Sequence, residues 1–278
     1  MDLKTLTAEV CCVAREAGAY LRTEQSKLRD SQIERKHSHD YVSYVDKTCE
    51  EQIVAQLRQL LPEAAFLTEE GTTEIHPLTQ PSLSGRSFDD TPSLGGDGGG
   101  VTWVIDPLDG TTNYIHGFNP FAVSIALRNE REILLGVVYE VTLDECFYAW
   151  KDGGAWLNGQ PIHVSTKPIE EALLGIELPY DADMYSELGR RLIGHFYGLC
   201  GGIRMNGSAA VALCNVACGR WDGWLERGIQ PWDFMAAALL VQEAGGTVTT
   251  YGGDAFFLDG HEVVVSNGLI QKDLLAAL

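Results

Sequence analysis

Residues Trp103–Asn113 read WVIDPLDGTTN, an apolar run that leads into two carboxylates, Asp106 and Asp109. Pro107 stands between the acids, stiffens the turn and removes a backbone donor, which favours both side chains pointing the same way. Gly110 and the two threonines after it offer backbone N–H groups of the kind that hold an anion at a turn or helix start. The stretch therefore predicts a strand that ends in an acidic, hydroxyl-rich turn.

The bulk composition is that of a globular protein without an extended basic surface. The chain has 278 residues, 45% of them hydrophobic, and a formal net charge of −19. This length is enough for two closely packed domains, which we expect at 1–180 and 181–278. The acidic balance argues against nucleic acid as a partner, because phosphate backbones require a basic field. An anionic substrate would need local help, for instance from a bound metal.

The sequence predicts neither a membrane span nor a special role for the cysteines. No stretch reaches the roughly 18 uninterrupted apolar residues of a membrane span, so we expect a cytoplasmic protein without such a span. Seven cysteines occur without a CxxC pair, which predicts reduced thiols rather than a disulfide framework or a zinc ribbon. Cys214 and Arg220 match the C-x5-R pattern of cysteine phosphatases, but the residues around Cys214 predict a helix instead of a phosphate loop.

In the first part of the chain, helical spacing of apolar residues predicts helices over 3–27 and 43–61. A short buried strand is expected over 64–68. Residues 71–100 are rich in Gly, Ser, Pro and acids and predict a mobile loop that tolerates shortening. From 101 to 164, strand-like runs separated by turn residues predict a large antiparallel meander.

The second part alternates helices and strands, which predicts a smaller α/β layer. The predicted helices are 183–199, 207–218, 232–244 and 269–277. The predicted strands are 173–178 and the runs RWDGWLE, GTVTTY and EVVVS.

Acids follow several of these predicted strands or begin a helix, and we expect them to converge on one cleft. They are Glu69, Glu70, Asp106, Asp109 and Asp233. Such a cluster repels itself unless divalent cations neutralise it, and oxygen-only ligands favour Mg²⁺. Each acidic pair taken alone is also consistent with a solvated turn.

These residues resemble the inositol monophosphatase family. WVIDPLDGTTNYIHGF and PWDFMAAALLVQEAGG match its two signatures, and KHSHDYVSYVD and FLTEEG resemble its other conserved stretches. The departures are Ser43, Met235 and the insert at 71–100. The resemblance implies an α+β / α/β fold, a layered αβαβα sandwich of the inositol monophosphatase / fructose-1,6-bisphosphatase type. It also implies a homodimer and sensitivity to lithium.

The resemblance further implies a Mg²⁺-dependent phosphatase that hydrolyses myo-inositol monophosphate or a related polyol or sugar phosphate. Two or three Mg²⁺ ions are expected, and Asp106 would bridge two of them. The implied ligands are Glu69, Glu70, Asp106, the carbonyl of Leu108, Asp109 and Asp233.

Substrate and water contacts are implied in the same way. Thr111, oriented by Asp46, would align the attacking water, with Glu69 as the third catalytic residue. The amides of Gly110, Thr111 and Thr112 would hold the phosphate. Asp109, Glu226 and the backbone at Ser208 and Ala209 would complete the contacts to substrate, with Glu226 meeting its hydroxyls.

Three rival functions have some support in the sequence. PLDGT nearly spells the haloacid dehalogenase motif, but Pro107 stands where that chemistry needs its nucleophilic aspartate. Nucleotide bisphosphatases of the superfamily favour lysine where this chain has Thr112, so 3′(2′),5′-bisphosphates and sugar bisphosphates rank lower. A non-catalytic regulatory member is the third, against which the full set of acids counts. His116 is expected to be packed or solvated rather than catalytic.

Overall fold

A computed structural model describes residues 2–27, 33–37, 40–71, 100–178, 182–255, 257–258 and 260–278, with only the backbone at 33–37, 40–43 and 182–184. Apart from its two end residues, the predicted loop at 71–100 lies outside the described residues, as does the side chain of Ser43. The helices are α1 (Leu3–Gln25), α2 (Tyr44–Leu60), α3 (Thr111–Ile115), α4 (Ala182–Phe196), α5 (Ala209–Ala217), α6 (Pro231–Glu243) and α7 (Gln271–Ala276).

Two strands that the sequence did not predict, β1 (Ile33–His37) and β2 (Asp40–Ser43), pair as an antiparallel hairpin. In the rest of the described first part, a seven-stranded sheet has its strands in chain order, β3 to β9. Its first pair is parallel and the others are antiparallel, so the predicted meander is confirmed. The strands are β3 (Ala65–Thr68), β4 (Thr102–Asp109), β5 (Ala122–Arg128), β6 (Ile133–Glu140), β7 (Glu145–Trp150), β8 (Ala155–Leu157) and β9 (Gln160–Ile162).

A second sheet of five strands, again within the described residues, has the order β11-β10-β12-β14-β13. β10 pairs in parallel with β11 and β12, whereas β14 is antiparallel to β12 and β13. The domain boundary near residue 180 stays a prediction. The strand β10 belongs to this second sheet, although it precedes that boundary in the chain. The strands are β10 (Leu173–Ile176), β11 (Gly202–Arg204), β12 (Gly223–Arg227), β13 (Thr247–Thr249) and β14 (Glu262–Ser266).

Helices cover both sheets and separate them. The apolar faces of α1 and α2 are buried with Trp103 and Ile105 on the outer face of the first sheet. The helices α4 and α7 pack with Leu225 on the outer face of the second. Between the sheets lie α5 and α6, in a core that includes Val104 of the first sheet and Trp224 of the second. This order of layers is the expected αβαβα sandwich.

The helix α6 approaches the first sheet closely, and this places the N-terminus of α6 near the acids at the end of β4. The sequence PWDFMAAALLVQE has apolar residues on every side of the helix, as burial between two sheets requires. Met235, the large residue in the second signature, is fully buried. Gly136 of β6 makes the approach possible, since a Cβ there would lie 2.3 Å from the carbonyl oxygen of Ala236.

Several element boundaries differ from the predictions. α1 ends at Gln25 rather than 27, and α4 ends at Phe196 rather than 199. The run AWLNGQPIHV, at the end of the predicted meander, forms two short strands, β8 and β9. Asn158 and Gly159 form the turn between them with positive φ angles of 48° and 83°, a conformation that sequence periodicity does not report.

Candidate active site

The buried strand β4 carries the first two acids of the site. Asp106 is 2% exposed. The pairing of β4 with β5 shifts register between Asp106 and Asp109, because Pro107 has no N–H to continue the ladder. Leu108 donates its N–H to Oδ1 of Asp106 at 2.9 Å and so fixes that carboxylate against its own turn. The local sequence thus aims the acids away from the regular strand.

Four carboxylates interact electrostatically at this turn. Burial raises the pKa of Asp106 well above its ordinary value, and the charges of Glu69, Asp109 and Asp233 raise it further. Glu69 arrives from the end of β3, where its N–H is bonded to the carbonyl of Ile105 at 3.2 Å. The first sheet and the helix α6 therefore bring these acids into one electrostatic unit.

The position of Asp233 is set by the start of α6. Gln230 donates its N–H to Oδ2 of Asp233 at 2.8 Å, and the two residues form a capping box. Pro231 occupies the first turn, where its missing N–H costs nothing. Ser124 of β5 donates to the carbonyl of Trp232 at 3.1 Å, which ties the helix start to the first sheet.

Asp109 links the first sheet to α5. Its Oδ2 accepts hydrogen bonds from the hydroxyl of Ser208 and from the N–H of Ala210, the latter at 2.9 Å. Ser208 is also the N-cap of α5 and accepts from Val211 at 3.3 Å. Burial raises the pKa of Asp109 to about 6, and the hydrogen bonds from Ser208 and Ala210 oppose that rise.

The side chains of Thr111 and Asp46 lie within hydrogen-bonding distance of each other. The hydroxyl of Thr111 is 2.9 Å from the carbonyl oxygen of Leu108 and 3.4 Å from Oδ1 of Asp46. α3 begins at Thr111, directly after Gly110, whose φ of 89° favours glycine. A Cβ at Gly110 would also lie 2.9 Å from the carbonyl oxygen of Pro120. The partly buried Thr112 follows in the first turn of α3.

Glu50 is a site residue that sequence reasoning missed. Its side chain is fully buried on α2, and its Oε2 accepts the N–H of Glu70 at 2.7 Å. Glu50 lies four residues after Asp46, so both acids occupy the buried face of one helix. That spacing was the available signal, because acids are rarely placed on a buried helical face without a role.

Glu226 and Glu177 lie on the second sheet and face the same cleft. Burial raises the pKa of Glu226 well above its ordinary value, and the charges of Glu177, Asp233 and Asp109 raise it further. Glu177 follows β10, and its Oε1 accepts the N–H groups of Asn206 (2.6 Å) and Gly207 (3.0 Å). Sequence reasoning missed Glu177, although an acid directly after a strand was the signal that identified Glu69.

Other candidate residues lie outside this cluster. Cys214 is buried within α5, and Arg220 forms a bidentate ion pair with Glu145 at 2.5 and 2.6 Å. The C-x5-R spacing is therefore not a phosphate loop. His116 directly follows α3 and is exposed, as expected for a solvated residue.

The donor set fits Mg²⁺. Its members are carboxylates and a backbone carbonyl, which are the ligands that this ion prefers, and their mutual repulsion raises the pKa of Asp106. Within the described ranges, no three His, Cys, Asp or Glu side chains already converge as ligands around one point.

A layered αβαβα protein with a carboxylate site between its sheets is the class that fold and site define. The family model for the inositol monophosphatase family matches residues 2–278. The chain belongs to the inositol monophosphatase family.

Named relatives and solved structures agree with this membership. The chain is 38% identical to the Nus factor SuhB of Pseudomonas aeruginosa, over 95% of this chain and 92% of that protein. It is 35% identical to an inositol-1-monophosphatase of Mesorhizobium japonicum, over the same two fractions. The crystal structure of the extragenic suppressor protein suhB from Bartonella henselae has a TM-score of 0.85 at 32% identity, over 98% of each chain. The inositol monophosphatase of Anabaena has a TM-score of 0.82 at 32% identity, over 100% of this chain and 96% of that one.

Proposed function

We propose that the protein is a Mg²⁺-dependent phosphomonoesterase that hydrolyses myo-inositol monophosphate, or a closely related polyol or sugar phosphate, to the alcohol and phosphate. The observation that carries the proposal is that the charges of Glu69, Asp109 and Asp233 all act on the buried carboxylate of Asp106. A member of this family with that set of acids retains the means to bind the metal. The name inositol-1-monophosphatase, borne by a relative at 35% identity, supports the choice of alcohol.

Metal binding is assigned to the acids of the first sheet and α6. Glu69, Asp106 and the carbonyl of Leu108 would hold one ion, and Asp106, Asp109 and Asp233 a second, with Glu70 helping to hold a weaker third. Bound Mg²⁺ would lower the pKa of the attacking water and stabilise the departing alkoxide. The buried carboxylates contribute negative charge that a bound cation would neutralise.

Thr111 and Asp46 would orient the attacking water. The hydroxyl of Thr111 has one hydrogen and two acceptors within reach, the carbonyl of Leu108 and Oδ1 of Asp46. Its lone pairs are then directed away from those acceptors and can accept a hydrogen from water. Asp46 holds this arrangement from the buried face of α2, so the water's orientation depends on the packing of that helix.

The phosphate and its alcohol would lie across the cleft. The N–H groups of Gly110, which precedes α3, and of Thr111 and Thr112 in its first turn have no acceptor within the helix and would donate to phosphate oxygens. The alcohol would extend towards Ser208, Ala209 and Glu226 on the other side. Hydroxyl groups suit this side because a carboxylate accepts them in charge-assisted hydrogen bonds.

The cellular location, the oligomeric state and the inhibition by lithium belong to the same proposal. We expect a cytoplasmic homodimer that lithium inhibits, with no nucleic acid as substrate. None of the helices in the described part of the chain is long and apolar enough to cross a membrane.

A second candidate is a non-catalytic, regulatory role, which the name Nus factor SuhB of several relatives favours. A bisphosphate nucleotidase or sugar bisphosphatase is the third. Phosphate release from a panel of monoesters, compared with and without Mg²⁺, separates them. Turnover of inositol monophosphate that requires Mg²⁺ supports the first candidate. No release from any ester supports the regulatory role, and a preference for bisphosphates supports the third.

A further inference from the structure

Glu177 and Glu226 are neighbours on adjacent parallel strands. Ile176 of β10 pairs with Leu225 of β12, and the N–H of Glu177 continues the ladder to the carbonyl of Leu225 at 3.1 Å. Ile176 and Leu225 pack in the outer core of the second sheet. Because side chains alternate along a strand, the two glutamates face the opposite side, towards α5, α6 and the cluster of acids.

The two carboxylates are engaged differently. Glu177 accepts two backbone hydrogen bonds, from Asn206 and Gly207. Among the described residues, none donates a hydrogen bond to the carboxylate of Glu226. The charge of Glu226 is therefore balanced by no protein donor in that part of the chain, and a ligand hydroxyl can supply one.

The nearest cation along the strand does not face this cleft. Arg227 follows Glu226, so its side chain lies on the other face of the sheet, where it pairs with Glu262 at 3.2 Å. The charged groups that act on Glu226 within the described residues are Glu177, Asp233 and Asp109. The charged groups that act on Glu226 from the described residues are thus all acidic.

We infer that Glu177 and Glu226 together form an anion-excluding subsite, which accepts an uncharged polyol and rejects an alcohol that carries a second phosphate. The inference rests on the proposed function and adds Glu177 as a specificity-determining residue. A hydroxyl group donates to these carboxylates, whereas a second phosphate brings like charges together in a poorly solvated cleft. Such repulsion discriminates between substrates without any new favourable contact.

The test is Glu177→Gln, which removes the charge but keeps an oxygen that can accept from Asn206 and Gly207. The values of kcat/KM are measured with Mg²⁺ for myo-inositol 1-phosphate and myo-inositol 1,4-bisphosphate. The bisphosphate-to-monophosphate ratio should rise about tenfold in Glu177→Gln and also in Glu226→Gln. Glu187→Gln, the same change at an exposed residue of α4, should leave the ratio as it is.

Two further measurements distinguish exclusion from a structural effect. Amide hydrogen exchange over residues 205–211 should be the same in Glu177→Gln and in the unchanged protein, because both backbone bonds have an acceptor. The preference of the unchanged protein for monophosphate should weaken as salt is added, since salt screens charge repulsion.

The inference is wrong if the unchanged protein is active and neither glutamine variant alters the ratio. If exchange in 205–211 accelerates in Glu177→Gln, the ratio in Glu226→Gln decides the question. A protein that releases phosphate from neither ester contradicts the proposed function and this inference together.

Discussion

Ala210 donates its backbone N–H to Oδ2 of Asp109 at 2.9 Å and so joins residues 101 positions apart in the chain. The bond connects the start of α5 to the end of β4. Ser208, the N-cap of α5, donates to the same oxygen. The site is therefore assembled between two sheets, and the packing of the layers governs its geometry.

Replacing Ser208 by alanine tests this connection. Ser208→Ala removes the cap of α5 and one hydrogen bond to a buried carboxylate, so the free energy of unfolding should fall by about 2 kcal/mol. Urea denaturation of the metal-free protein measures it. Ser26→Ala, at an exposed serine that donates to Thr23 at 3.3 Å, should change stability by less than about 0.5 kcal/mol. Equal effects of the two changes would show that the link to Asp109 adds nothing.

Asp106→Asn should separate stability from metal binding. Asparagine keeps an oxygen for the N–H of Leu108 but removes a buried charge that three other acids repel. The Tm of the metal-free protein should therefore be unchanged or higher, while turnover falls at least about a hundredfold.

Calorimetry and an assay of phosphate release measure these effects. Mg²⁺ should raise the Tm of the unchanged protein, because a ligand that binds only the folded state stabilises it, and this rise should shrink in Asp106→Asn. Asp273→Asn, at an exposed acid of α7, should retain both activity and the Mg²⁺ response. A full Mg²⁺ response in Asp106→Asn would contradict the assignment of Asp106 as a ligand.

Removal of metal should abolish turnover. The acids at 69, 106, 109 and 233 are a negative cluster that requires a counter-charge before a phosphate anion can approach. Treatment with a chelator should stop phosphate release, and added Mg²⁺ should restore it. Lithium should inhibit the restored enzyme. Turnover that persists in the chelator would refute the dependence on metal.

Glu226→Gln should alter substrate preference without altering the fold. In this variant a polyol loses a charge-assisted hydrogen bond worth about 1.5–3 kcal/mol. The ester 4-nitrophenyl phosphate has no hydroxyl that could make this bond, so it loses nothing. The value of kcat/KM should therefore fall far more for inositol monophosphate than for the nitrophenyl ester, with Mg²⁺ affinity unchanged. Equal losses on both esters would place Glu226 among the metal ligands instead.

Gly136→Ala tests the contact that brings α6 to the first sheet. The new Cβ would meet the carbonyl oxygen of Ala236 at 2.3 Å, and backbone cannot move aside as a flexible side chain can. The free energy of unfolding should fall by about 2–3 kcal/mol, measured by urea denaturation. Gly194→Ala on α4 is the control, because its Cβ has no neighbour within 4 Å. That change should stabilise by about 0.5–1 kcal/mol.

The sequence alone determined those features that depend on neighbours along the chain. Apolar spacing located α1 and α2 to within two residues at each end, and the turn chemistry of Asp106 to Thr112 predicted a strand that ends in an acidic turn. Helical and strand periods are local properties, so one sequence is enough to read them. The short strands β1, β2 and β11 were missed because they have no apolar alternation strong enough to predict them.

Only the tertiary structure decided how the acids of the two sheets are placed relative to one another. Glu50, Glu177 and Glu226 lie far from β4 in sequence. The family resemblance assigned Glu226 to the substrate, whereas the positions of Glu50 and Glu177 in their own segments do not indicate which cleft they face. The pairing of β10 with β12 places Glu177 beside Glu226. Because α5 and α6 lie between the sheets, both glutamates face the side on which Asp233 lies. The physical reason is that burial and mutual repulsion, which give these carboxylates their character, arise only when the two sheets pack around α5 and α6.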